Sequence, residues 1–157
     1  MRHTVVFAML LAPALQMQAQ DAAHTSEPGP KMSAAFGVHY GSPLRTSVAL
    51  GFMADFDGKR NDGFIATLEP GHQGTEISAG YFRMIGSFGS GYSVRGAVVR
   101  TNDEPWKASA HTTYVGVEAH WMLVFGIGGR IGYLRRASRS VLDPHDTIVS
   151  AGISIGA

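Results

Sequence analysis

The stretch "FGIGGRIGY" (residues 125–133) decides how this chain is read. Its glycines suggest a phosphate-cradling loop, but a dinucleotide fingerprint needs glycine at the first, third and sixth positions, between a strand and a helix. Gly126 and Gly128 meet the first two requirements, whereas the sixth position is Ile131 and Gly132 falls one residue late. A period of two fits the stretch better. Phe125, Ile127, Ile131 and Tyr133 share one face, and Gly126, Gly128, Arg130 and Gly132 share the other. That alternation is the mark of a β-strand with two unlike faces.

Seven further segments repeat it: "SAAFGVHY" (33–40), "RTSVALGFMADF" (45–56), "GFIATLE" (63–69), "TEISAGYFRMI" (75–85), "GYSVRGAVVRT" (91–101), "TYVGVEAHWML" (113–123) and "TIVSAGISIGA" (147–157). In the second, Val48, Leu50, Phe52, Ala54 and Phe56 oppose Ser47, Ala49, Gly51, Met53 and Asp55. In the seventh in chain order, which is the opening stretch, the opposed set is almost all glycine. Turn formers such as "GSPL" (41–44), "DGKRND" (57–62) and "EPGHQG" (69–74) separate the segments. From Met32 onward no segment keeps a 3.6-residue apolar stripe. The pattern predicts an all-β fold: eight antiparallel strands in up-and-down order, closed into a barrel that leaves no sheet edge exposed.

Composition narrows the setting. "TVVFAMLLAPAL" (4–15) follows a short basic start and precedes a polar stretch, so residues 1–20 read as a secretory signal peptide, 21–31 as a flexible leader and 32–157 as the barrel domain. The 157-residue chain has no cysteine, which excludes disulfides, thiolate metal sites and thiol nucleophiles. A formal charge of +1 argues against a nucleic-acid partner. Charged residues make up only 16%, against about 25% in an ordinary soluble domain.

The two strand faces differ in a way that bears on their surroundings. The less apolar face is mostly Gly, Ala and Ser, with His39, Asp55, Glu76, Arg95, Glu118, His120 and Arg130 set among them. Such a face makes a poor water-facing surface and a good lining for a narrow barrel, where small residues leave room for charges that pair with one another. The apolar face would then meet lipid, and the segments have the ~9–11-residue length of transmembrane strands. Tyr40, Phe56, Phe64, Tyr92, Trp121, Phe125 and Tyr133 gather near strand ends, where aromatic rings suit a membrane–water interface. The alternative is a soluble periplasmic barrel with the large residues turned inward around a small apolar ligand.

On these features residues 32–157 resemble the small eight-stranded outer-membrane β-barrel proteins of Gram-negative bacteria. The resemblance rests on the leader, the strand count and the dyad pattern, with no specific motif. It departs at the last residues, "SIGA", where such proteins usually end on an aromatic residue. It implies an eight-stranded transmembrane barrel in the cell outer membrane, monomeric and without a cofactor, with a structural or surface-interaction role. It also implies periplasmic termini, a periplasmic turn at "LVFG" (123–126), and outer loops at "NDEPWKASAH" (102–111) and "SRSVLDPHD" (138–146). Arg135, Arg136 and Arg139 would stand at the outer rim, within reach of lipopolysaccharide phosphates.

Candidate chemistry is sparse. Glu118 and His120 project from one face of a strand, near Arg130 if the neighbouring strand pairs in register, and with Arg95, Asp55 and His39 they form a candidate charge network inside the barrel. His39, His120, Asp55 and Glu118 show no metal-ligand spacing. Ser109 and His111, two apart in "ASAHTTY" (108–114), are the one nucleophile pair that a lipid-deacylating enzyme could use, and Glu118 has the wrong parity to orient that histidine. "EPGHQG" reads as a turn with His72 exposed.

Overall fold

The computed structural model describes residues 30–56, 61–85, 90–103, 105–123, 126–137 and 146–156. Residues 1–29, on which the expected signal peptide and most of the expected leader fall, Phe125, Arg139 and most of the segment 138–146 lie outside the described residues. The strands are β1 (Met32–Ser42), β2 (Arg45–Asp55), β3 (Asp62–Gly71), β4 (Gly74–Ile85), β5 (Ser90–Thr101), β6 (Thr113–Met122), β7 (Ile127–Arg136) and β8 (Thr147–Gly156). Each pairs antiparallel with the next, and β8 pairs with β1 to close the barrel. The eight segments read from the alternation are therefore the eight strands.

Most boundaries shift by a residue or two from the sequence reading, and two of the shifts matter. β3 continues past Glu69 through Pro70 to Gly71, so the turn to β4 is only His72 and Gln73. Proline is tolerated there because it sits one residue from the strand's end, where few ladder bonds remain to be lost. β7 begins at Ile127, two residues later than the alternation suggested, after a tight connection in which Leu123 N–H donates to the Ile127 carbonyl at 2.7 Å.

Every strand puts most of its large apolar residues outward. Phe36, Val38 and Tyr40 of β1, Val48, Leu50 and Phe52 of β2, and Phe64 and Leu68 of β3 are exposed. So are Ile77 and Tyr81 of β4, Val94 and Val98 of β5, Val115 and Val117 of β6, Ile131 and Tyr133 of β7, and Ile153 and Ile155 of β8. The intervening residues face in and are buried, among them His39, Ser47, Thr67, Glu76, Ser93, Arg95, Glu118, Arg130, Ser150 and Ser154. This is the reverse of a water-soluble barrel, which keeps its large apolar residues inside.

Register fixes the stagger. Phe36 lies level with Leu50, Leu68, Ile77, Val98, Val115, Arg135 and Thr147 in turn. Ser42 pairs with Ala151, which puts Thr147 four positions beyond Ser42 and ten beyond Phe36. Such a stagger requires strands tilted by about 35–45°. Ten residues at about 3.3 Å each, tilted by about 40°, span about 25 Å.

The lumen is filled in three layers. At the end carrying the β1–β2, β3–β4, β5–β6 and β7–β8 connections, here the loop end, Leu44, Ala97, Val99, Tyr114, Leu134 and Ile148 pack together. At the opposite, chain-entry end, Ala35, Ile65 and Phe82 pack with Met53 and Met84. Between them lies a polar layer. The β5–β6 connection folds over the loop end: Trp106 N–H donates to the Pro43 carbonyl at 3.3 Å, Asn102 N–H to the Gln73 carbonyl at 2.9 Å, and Ser42 Oγ to the Trp106 carbonyl at 3.0 Å.

Candidate functional site

The polar layer is organised around Arg130. Its position on β7 brings it opposite His120 on β6 and Gly152 on β8. Arg130 Nη1 donates to Glu69 Oε2 at 2.9 Å and to Glu76 Oε2 at 3.2 Å, and lies 4.0 Å from Glu118 Oε2. One guanidinium thus gathers carboxylates from β3, β4 and β6. The glycines beside it make this possible. A Cβ on Gly132 would come within 2.5 Å of both Glu118 Cγ and Ser150 Oγ, so any larger residue there would collide with the network.

Each outer carboxylate is held from several sides. Glu69 accepts from His39 Nδ1 at 2.8 Å and from the Ser47 hydroxyl. Glu118 accepts from His120 Nε2 at 3.1 Å and from the Ser150 hydroxyl. Glu76 is less well served: among the described residues its Oε1 has no hydrogen-bond partner although the side chain is fully buried. Arg95 takes a different course. Its Nε donates to Ser93 Oγ at 2.8 Å and its Nη1 reaches Thr67 Oγ1 at 3.5 Å, and no carboxylate lies within salt-bridge distance among the described residues.

Of the residues singled out from sequence, Glu118, His120, Arg130 and His39 meet in this layer. Arg95 lines it through hydroxyl contacts. Asp55 is buried on the same inward face but belongs to the chain-entry end of β2, and among the described residues no side-chain hydrogen bond or ion pair joins it to the Arg130 cluster. Glu69, which the sequence reading set at the boundary between the strand 63–69 and the turn 69–74 and did not single out, is a principal partner of Arg130. With β3 running on to Gly71 it is a full strand position, on the inward face with Ile65 and Thr67. The other cations are peripheral: Arg135 is exposed at the loop end of β7, and Arg136 is half-buried beside it. Ser109 contributes backbone groups, its N–H donating to Tyr114 Oη at 3.0 Å and its carbonyl accepting from Thr101 Oγ1 at 2.7 Å. His111 Nε2 pairs with the exposed Asp103 at 2.8 Å.

Glu76, Glu118 and His120 offer ligand atoms within 4.8 Å of one another, and Arg130 is the cation that both carboxylates already face. The layer's most direct chemistry is structural. It satisfies charges that would be costly if left unpaired in a narrow interior. Compared with known protein families, curated proteins and solved structures, the chain matches none.

Proposed function

We propose that this protein is an integral outer-membrane β-barrel whose role is structural or interactive at the membrane surface. The observation that carries this reading is the outward apolar belt, continuous around all eight strands, on strands that rise about 25 Å by the tilt and rise above, enough to carry a lipid-facing band. A surface of that extent is far larger than the few hundred Å² of contiguous apolar patch that water-soluble monomers expose. Closure leaves no unpaired strand edge for lipid to meet. Rings cluster near both rims: Tyr40 with Trp106, centres 6.1 Å apart, at the loop end, and Phe56 with Tyr81, 6.4 Å apart, at the chain-entry end. The soluble alternative needs Phe36, Leu50, Ile131 and their neighbours inside, whereas they are exposed.

The loop end is the proposed surface of contact. Arg45, Arg100 and Arg135 are exposed there just beyond the apolar belt, where guanidinium groups suit the phosphates of lipopolysaccharide. The apolar layer of Leu44, Tyr114 and Leu134 across the lumen at this end favours a closed barrel over a conducting one.

Fractionation of cells producing the protein is the test. Retention in the outer membrane through high-salt and alkaline washes, release by detergent, and a gel mobility that shifts on boiling are the expected results. Extraction in buffer without detergent would overturn the proposal. Binding to lipopolysaccharide that falls when its phosphates are removed, and falls again in Arg100→Ala/Arg135→Ala, would support the rim assignment. Binding indifferent to both would remove it.

A further inference from the structure

The chain-entry half of the lumen contains a cavity of about 40 Å³, space on the order of three waters. Its walls include two histidines, His39 and His120, and three methionines, Met53, Met84 and Met122. The described residues hold four methionines in all, and only Met32, exposed at the start of β1, lies elsewhere. Methionine is a common filler of irregular apolar gaps. Here three of them, on β2, β4 and β6, converge on the same space as two imidazoles.

The imidazoles are oriented in a particular way. A carboxylate can only accept, so the histidine nitrogens bonded to Glu69 and Glu118 carry the protons. In each neutral ring the other nitrogen, His39 Nε2 and His120 Nδ1, is then a lone-pair donor, and neither has a partner among the described residues. A histidine backed by a carboxylate in this way is the usual arrangement of a metal ligand, because the backing group fixes tautomer and direction. The ring centres are 6.1 Å apart. With a metal–nitrogen bond of about 2.0–2.1 Å and a ring nitrogen about 1.1 Å from its centre, two rings on one ion have centres at most about 6.4 Å apart.

Donor chemistry selects the ion. Thioether and imidazole donors favour a soft monovalent ion, and a single charge is the smaller burden beside Arg95, which lines the same cavity. The imidazoles bind it in their neutral form. We propose that this cavity binds a single copper(I) ion through His39 and His120, with methionine sulfur completing the shell. The proposal rests on the lumen alone and is independent of the membrane reading.

The test uses the full-length chain purified in detergent, with silver(I) as a redox-inert probe and copper(I) delivered from a competing chromogenic chelator. One tight equivalent of each is expected, with nitrogen and sulfur neighbours in the X-ray absorption spectrum of the unmodified protein. His39→Ala/His120→Ala should weaken binding by more than about 100-fold, and Glu118→Gln by about 10–100-fold through the loss of ring orientation. Met53→Leu/Met84→Leu/Met122→Leu, nearly volume-conserving, should remove the sulfur signal while the β-sheet circular dichroism of the unmodified protein persists. No tight equivalent on the unmodified protein would overturn the proposal. So would a spectrum with only oxygen and nitrogen neighbours, which would point to Glu76 and Glu118, or silver binding unchanged by the histidine pair.

Discussion

Placing arginine on the apolar belt distinguishes a lipid-facing surface from a water-facing one. Val117 is the fifth of ten residues in β6 and is 60% exposed, whereas Leu123, just past the strand's end, is 58% exposed. Water would treat the two positions alike, and surface substitutions there would stay within about 0.5 kcal/mol. Lipid would not. Val117 sits near the middle of a strand that rises about 25 Å, where arginine costs about 2–4 kcal/mol, while near an interface the cost falls to about 0–1 kcal/mol. At about 1.4 kcal/mol per factor of ten, Val117→Arg should lower the folding equilibrium constant by about 30- to 700-fold, and Leu123→Arg by less than about tenfold. The assay is urea-dependent folding into phosphatidylcholine vesicles, followed by tryptophan fluorescence and gel mobility. Equal effects at the two positions, or folding of the unmodified chain in buffer without lipid or detergent, would refute the reasoning.

Three further outcomes follow from the lumen. Arg130→Met leaves Glu69, Glu76 and Glu118 without their shared guanidinium, and should cost roughly 3–5 kcal/mol in the same urea titration; a loss below about 1 kcal/mol would mean that the carboxylates do not depend on it. Gly132→Leu should impair folding by forcing side-chain atoms onto Glu118 and Ser150, whereas the outward Ile131→Leu should cost less than about 1.5 kcal/mol. The loop-end apolar layer should make planar-bilayer conductance negligible for the unmodified protein, and Tyr114→Ala/Leu134→Ala, by thinning that layer, should raise it; an open pore before substitution would show that the layer does not seal.

The candidate site was only partly legible in the sequence. Glu118, His120 and Arg130 could be placed together because a tight connection between neighbouring strands constrains their register. Glu69 and Glu76 could not be joined to Arg130 that way, since they stand 61 and 54 residues from it in the chain. Glu69 also stood at a boundary, last in the strand "GFIATLE" and first in "EPGHQG", whose proline and glycines resemble a longer turn than the two residues that form it. The methionines posed the same problem. Each falls on an inward position of its own strand, and nothing local relates Met53 to Met84 or Met122.

What the sequence determined by itself was the set of strands and the residues sharing each face, because a pleated chain turns its side chains over at every residue whatever surrounds it. "FGIGGRIGY" was thereby a strand and not a phosphate loop. Only the tertiary structure decided that the large apolar face points outward. Only it decided which buried charges meet, because the ten-residue stagger of a closed sheet, invisible to any single strand, sets the height at which Glu69, Glu76 and Glu118 meet Arg130.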